Sequence, residues 1–482
     1  MQKSNRRWWA LIGVSLATFM TYLDNNVVNV ALPSIQRDLN LSIAGLEWVV
    51  SSYILVFAGL MLAGGRLADV FGRKLLFLGG MAVFTLASLV AGVADGQTAL
   101  ILARVLQGVG AAAAIPTTLA IIAAIFPDPG ERAKATGIWG AVGALALALG
   151  PLIGGFISER WDWGWIFLIN IPFGIASLAI TALTLDETRA ESRRSLDYPG
   201  LATSATGLFT LTYALIQGHE RGWTSPVILG SFAVAAAALI AFAVIETRTA
   251  DPMVNMSLFS SRVFSGGLAA MVLWGFGVMG IYFFTAMYLQ NVLAFGPTEA
   301  GAAFVPMALS MAVFAAVGPQ VAKRIGTSIT VAGGISLIVA GMLATAAVGE
   351  HGSFADLLIP FICFGVGSGF TMTPLMESVL GELPPAAAGA ASAVVNTGRE
   401  LSGLLGVTIV GAVLTTRSAA VHEGTPLHAF LVGYRFALIV AAAIVAVGVP
   451  IALWTLRPRR PAPSTTTTPE LTDTPEPAPI PA

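Results

Sequence analysis

Apolar blocks of about twenty residues, divided by short polar gaps, run along almost all of this 482-residue chain. A hydrocarbon core about 30 Å thick takes roughly 20 apolar residues per helix. Inside it every backbone N–H and C=O must pair within the structure, which leaves helices or closed barrels. Blocks of eighteen or more mostly apolar residues fall at about 9–32, 46–65, 75–94, 98–125, 134–157, 164–185, 199–217, 225–245, 264–293, 298–320, 327–348, 354–376, 388–416 and 430–456. That makes fourteen spans and an all-α, polytopic membrane protein. Charged residues are 11% of the chain, against the roughly 25% usual in soluble domains.

The composition also excludes whole classes of function. A net charge of -1 without a basic cluster offers no footprint for nucleic acid. A single cysteine, Cys363, rules out an internal disulfide and a cysteine-based zinc site. His219, His351, His422 and His428 have no metal-binding spacing, and no phosphate-binding loop occurs, so no metal, cofactor or enzymatic activity is expected.

Basic residues orient the chain. With the N-terminus inside, 18 of the 25 Lys and Arg residues lie on the cytoplasmic side and four outside, which places both termini in the cytoplasm. A faint internal repeat divides it. Leu67-Ala68-Asp69-Val70-Phe71-Gly72 ends span 2 and Val321-Ala322-Lys323-Arg324-Ile325-Gly326 ends span 10. Likewise Gly108-Val109-Gly110 with Pro116 in span 4 is matched by Gly365-Val366-Gly367 with Pro374 in span 12. Both offsets are near 255 residues, longer than six spans need. The expected organisation is therefore a six-helix bundle over 1–190, a two-helix insertion over 191–262, a second six-helix bundle over 263–456 and a Pro/Thr-rich cytoplasmic tail over 457–482.

The segment between spans 2 and 3, Gly65-Arg66-Leu67-Ala68-Asp69-Val70-Phe71-Gly72-Arg73-Lys74, closely resembles the signature loop of the major facilitator superfamily, with Val70 where a basic residue is usual. Span 1 carries Leu23-Asp24-Asn25-Asn26 through Pro33, which resembles the fourteen-span drug:proton antiporters of the QacA/EmrB type. Arg104-Val105-Leu106-Gln107-Gly108 in span 4 and Gly150-Pro151-Leu152-Ile153-Gly154-Gly155 in span 5 are similar to further signatures of that family, with Ala146 replacing one glycine of the second. So are Trp163 through Pro172 and Asn396 through Gly403. The resemblance implies a major facilitator fold of six plus two plus six helices. It also implies a proton-coupled efflux antiporter for amphipathic small molecules such as antibiotics, working by alternating access as a monomer in a bacterial cytoplasmic membrane. An exporter dedicated to one endogenous product is the rival within transport, and a non-transporting membrane sensor the rival outside it.

Within that frame Asp24 is the central residue. At 1.5 Å per residue it lies about 22 Å into span 1 from Trp9, and carboxylates so deep normally face a cavity or a partner. Arg104 lies at nearly the same depth in span 4, so the two are expected to pair. No histidine falls inside a span, so a transported proton needs a carboxylate, and Asp24 and Glu400 are the candidates, with Arg104 beside the first. Arg399 and Glu400, about 100° apart on span 13, are not expected to share one cavity. Gly65, Asp69, Gly72, Arg73 and Lys74 are expected to gate the inner side, with Asp69 against the N-terminal end of span 13. Gly150, Pro151, Gly154 and Gly155 are expected to form a kinked small-residue face received by residues such as Ala312, Ala315 and Ala316. Met20, Asn25, Gln107, Trp274, Tyr282 and Tyr288 are candidates for the substrate cavity.

Overall fold

The structure, a computed structural model, describes residues 3–188, 197–249, 252–350, 352–381, 385–421 and 425–457. The expected tail lies outside these residues. Among the described residues the chain is helical and holds no strand. The N-terminal half comprises α1 (Lys3–Leu39), α2 (Ile43–Phe71), α3 (Arg73–Gly92), α4 (Gln97–Ile125), α5 (Pro129–Arg160), the short α6 (Trp165–Leu168) and α7 (Asn170–Thr184). Then come α8 (Tyr198–Arg221) and α9 (Pro226–Arg248). The C-terminal half comprises α10 (Arg262–Asn291), α11 (Pro297–Ala303), α12 (Val305–Ile325), α13 (Thr327–Ala347), α14 (Phe354–Gly381), α15 (Pro385–Ala419), α16 (Pro426–Ala446) and α17 (Gly448–Thr455).

Among the described residues, eleven helical stretches are long and apolar enough to cross a bilayer, and twelve if the two arms of α5 count as one. Composition thus supports fewer spans than the fourteen expected. The two that fall short are α1 and α8, whose 37 and 24 residues suffice in length. Asp24, Asn25, Asn26 and Asn29 dilute the first, and Thr203, Ser204, Thr206, Thr210 and Thr212 the second. The polarity of α1 is buried rather than solvated, since Asp24, Asn26 and Asn29 are at most 4% exposed.

Local chemistry sets the helix ends. Ser42 accepts a hydrogen bond from the Gly45 amide at the start of α2, and Asp128 does the same for Glu131 at the start of α5, with Pro129 following it. Gly72, between α2 and α3, and Gly326, between α12 and α13, adopt φ of 113° and 93°, conformations that a side chain strains. These equivalent turns carry the internal repeat into the backbone. α5 bends by 41° between Leu147 and Leu149, where Pro151 cannot donate to the Leu147 carbonyl.

We call the end nearest the N-terminus proximal and the opposite end distal. The halves meet at the distal end, where Gln290 of α10 donates to the Val30 carbonyl of α1 at 2.7 Å, and the Thr298 amide of α11 donates to Glu159 of α5 at 3.1 Å. Toward the proximal end the facing helices leave Leu145 of α5 and Val313 of α12 more than half exposed. α8 and α9 pack on each other, with Gly207 against Leu239, and α8 also lies against α2, where Trp48 and Phe209 are 6.2 Å apart. Much of α9 is exposed apolar surface, including Val227, Leu229 and Ile240.

Candidate functional site

A closed polar network sits in the middle of the N-terminal half. Arg104 on α4 donates from Nη1 to Asp24 Oδ2 on α1 at 2.5 Å and to Gln107 Oε1 at 2.9 Å, and from Nε to the Val49 carbonyl of α2 at 3.1 Å. Asp24 Oδ1 accepts from Gln107 Nε2 at 3.0 Å and from Asn170 Nδ2 of α7 at 2.7 Å. Ser88 of α3 closes the ring, accepting from Gln107 at 2.8 Å. Asp24, Arg104, Gln107, Ser88 and Asn170 all have no exposed surface. The guanidinium also lies 4.3 Å from the centroid of the Tyr53 ring, so an aromatic face covers the side that no acceptor occupies.

Helix periodicity accounts for the assembly. Arg104 and Gln107 are three residues apart and share one face of α4, so a single helix presents both donors to Asp24. Gly108 lets α4 approach α2 closely, since a Cβ there would come within 2.8 Å of the Tyr53 carbonyl oxygen. Two ions taken out of water are stabilised only when their remaining hydrogen-bonding groups are satisfied, and losing one partner of such a pair costs about 3–5 kcal/mol. Here Asp24 is well satisfied, whereas Arg104 Nη2, Asn170 Oδ1 and the Tyr53 hydroxyl are buried without a partner. The network therefore has spare hydrogen-bonding capacity on the arginine side.

The other sequence-predicted residues divide into several groups. Glu400 and Arg399 of α15 pair with each other at 2.7 Å despite their angular separation, because both side chains are long enough to curl around the helix. Arg399 also donates to the Tyr22 hydroxyl of α1 at 3.2 Å, linking the two halves two residues from Asp24. At the proximal loop the Asp69 side chain lies outside the described residues, as do the side chains at the start of α15 that it was expected to face. Gly65 is half-buried, and Gly72 holds the turn. Arg73 donates to the Ala120 carbonyl at 3.3 Å and Lys74 to the Ala182 and Leu185 carbonyls at 2.8 and 2.7 Å. Sequence reasoning missed Glu187, whose carboxylate caps the start of α3 by accepting from the Lys74 and Leu75 amides, each at 3.0 Å.

The small-residue face of α5 meets partners other than the alanines expected. A Cβ on Gly150 would come within 2.5 Å of Asn26, and one on Gly154 within 2.6 Å of the Val27 carbonyl oxygen, so both serve the α1–α5 contact. Of the three glycines, Gly155 is the one that faces the other half, where a Cβ would come within 2.1 Å of the Pro297 carbonyl oxygen of α11. Pro151 is met in return by Gly301, where a Cβ would lie 2.2 Å from its carbonyl oxygen. Ala315 instead packs against Gly369 of α14 within its own half.

Among the cavity candidates, Tyr282 stacks on Phe304 at 5.0 Å and Tyr288 on Tyr434 at 4.8 Å, so both belong to the packing of the C-terminal half. Met20 and Gln107 are fully buried in the present state. Trp274 is 6% exposed with its indole N–H unpartnered, and Asn25 is half-buried. Glu47 of α2 is a further buried carboxylate that the sequence reading passed over. It lies against Gly411 of α15, where a Cβ would collide with its carboxylate. No group of His, Cys, Asp and Glu among the described residues is arranged to hold a metal.

Comparison with known proteins agrees with this architecture. The profile described as Major Facilitator Superfamily matches residues 14–407. The puromycin resistance protein pur8 of Streptomyces alboniger is 36% identical over 448 residues, covering 90% of this chain and 89% of that one. The cephamycin export protein CmcT of Amycolatopsis lactamdurans is 36% identical, covering 88% and 87%, and the multidrug resistance protein Stp of Mycobacterium tuberculosis is 33% identical, covering 86% and 77%. Among solved structures, a bacterial homologue of the human lysosomal transporter Spinster superposes with a TM-score of 0.68 at 15% identity, covering 92% of this chain and 96% of that one. These relatives are resistance and export proteins, and the chain is a multi-pass transporter, not an enzyme, that belongs to the major facilitator superfamily.

Proposed function

We propose that this protein exports amphipathic small molecules from a bacterial cell in exchange for protons, by alternating access across the cytoplasmic membrane, as a monomer. The observation that carries the reading is the Asp24–Arg104 pair, fully buried and held by four helices of one half. Buried charge in a membrane helix is expensive and usually functional. Among the described residues the distal contacts between the halves are made while Leu145 of α5 and Val313 of α12 stay exposed below them, an arrangement that we read as access from the side of the N-terminus. A proton reaching Asp24 removes the charge that holds Arg104, and the guanidinium then depends on Gln107 and the Val49 carbonyl. Return of the proton to the cytoplasm restores the pair, so protonation and the arrangement of α1, α2, α4 and α7 are coupled. The Arg399–Glu400 pair, joined to α1 through Tyr22, is the second group available for such an exchange.

The test is transport in inside-out vesicles with a panel of cationic, neutral and anionic compounds. Uptake of several of them that collapses with an uncoupler is the expected result, and uptake indifferent to the uncoupler removes proton coupling. Relatives named for single compounds, puromycin, cephamycin and tetracenomycin C, favour a second reading as the exporter of one product. A response confined to one compound in the same panel would select it. Proton-independent binding without transport would instead indicate a sensor.

The proposed topology is fourteen spans with both termini cytoplasmic, α8 and α9 forming the inserted pair. Reporter fusions after Asp95 and within 218–224 are expected to read as external, and fusions after Lys74 and Arg194 as internal. A cytoplasmic signal at 218–224 would show that α8 and α9 do not cross as a pair.

A further inference from the structure

On one side of the N-terminal half α5 and α7 part, and α1 forms the floor of a crevice of about 390 Å³. Trp8, Ile12, Ser15 and Phe19 of α1 line it, with Val142 of α5 and Phe173 of α7 as its walls. The α1 residues recur every three or four positions, so the crevice follows the helix for about 16 Å and is a slot rather than a bowl. Phe19 and Phe173, 5.6 Å apart, lie toward its distal end. Ile12 and Ile138 on its rim are 44% and 39% exposed, so this side of the bundle turns apolar surface outward, as a lipid-facing surface does.

The proximal mouth is basic. Lys134 holds its ammonium 5.6 Å from the centroid of Trp8 and makes no ion pair among the described residues. The neighbouring acids are already engaged, Asp186 with Arg6 and Glu131 with Arg7, each at 2.7 Å. A long apolar slot ending at an uncommitted cation matches an acyl chain ending at a phosphate, and basic pockets between helices on the cytoplasmic side recognise anionic head groups. A cationic amphiphile in the same slot would bring its charge against Lys134.

We infer that this crevice is a binding site for an anionic phospholipid of the proximal leaflet, with one acyl chain between α5 and α7 and its phosphate on Lys134. The chain is as well solvated by surrounding lipid as by Leu and Phe side chains, so selectivity must come from the head group. The site is independent of Asp24 and of proton coupling, and it needs only the membrane placement of the chain.

Native mass spectrometry of the protein released from nanodiscs of equal phosphatidylglycerol and phosphatidylcholine content tests it. Wild-type protein is expected to retain phosphatidylglycerol at least fivefold over phosphatidylcholine. Lys134→Gln is expected to bring that ratio close to one, and Val142→Trp, which fills the slot, to remove retained lipid of both kinds. Ile12→Trp repeats the filling from the other side, should Val142→Trp be recovered aggregated. A phosphatidylglycerol with a photoreactive acyl chain is expected to label residues 8–19 of the wild type and not of a filled variant. Equal retention by wild type and filled variants, or an unchanged ratio in Lys134→Gln, overturns the assignment. So does displacement of the label by a neutral hydrophobic dye to the same extent in membranes with and without phosphatidylglycerol, which would make the slot a substrate site.

Discussion

Asp24→Asn is expected to reduce uphill, uncoupler-sensitive efflux to background, with a larger loss of affinity for cationic than for neutral compounds. The geometry explains both parts. Asp24 Oδ1 accepts from Gln107 and Asn170, while Oδ2 faces Arg104. An amide can keep its oxygen toward one set only. Placed toward Gln107 and Asn170, it turns its NH2 to the guanidinium and leaves a buried donor unsatisfied, a loss of about 1–3 kcal/mol. Arg104 also loses its counter-charge, so part of the effect falls on stability and must be separated from transport. Asp24→Asn combined with Arg104→Gln removes the uncompensated cation and is expected to recover folded protein and neutral-dye binding without recovering uphill transport. The deciding measurement is proton release on adding substrate to purified protein. Release undiminished in Asp24→Asn would remove it as the proton carrier and transfer the role to Glu400.

The contact between Asp24 and Arg104 was legible because a charge inside an apolar block stands out, and helix rise converts position into depth. Their partners were not. Ser88 and Asn170 are small polar residues of a kind that membrane helices carry in many places, and only the packing of α3 against α4 and of α7 against α1 brings them into the network around Asp24. Depth along a span says nothing about which neighbour a face meets. For that reason Ala312, Ala315 and Ala316, on the right helical stretch of the facing half, were expected at a contact that Pro297 and Gly301 make instead. Tyr282 and Tyr288 show the same limit, since an aromatic side chain on a cavity-lining helix can equally stack within its own bundle. Arg399 and Glu400 expose a different one, because the angle between adjacent Cα–Cβ bonds does not bound the reach of a guanidinium. Glu47 escaped notice by lying at the start of an apolar block, where a carboxylate reads as solvated, yet α15 covers it. The fold itself was more accessible: the paired turns at Gly72 and Gly326 follow from a repeat visible in the residues.

Gly155→Leu is expected to lower turnover at least tenfold while leaving the protein folded, because the clash falls between the halves and not inside one. A Cβ at this position would come within 2.1 Å of the Pro297 carbonyl oxygen, and the opposing atom is backbone that cannot turn aside. The distal ends can relieve the contact only by separating, which also strains the hydrogen bond from the Thr298 amide to Glu159 and that from Gln290 to the Val30 carbonyl. Overpacking of this kind costs about 1–3 kcal/mol. Since about 1.4 kcal/mol changes an equilibrium tenfold, that suffices to depopulate the distally closed state on which cytoplasmic access depends. Gly154→Leu provides the contrast. Its clash is with the Val27 carbonyl of α1 in the same half, so it is expected to reduce the yield of folded protein. The measurement is labelling by a membrane-impermeant maleimide of a cysteine at Gln290, in a background where Cys363, the single native cysteine, is Ser. Gly155→Leu is expected to accelerate labelling severalfold over the Gly155 parent. Normal turnover with unchanged labelling would mean that α5 and α11 do not close against each other during transport.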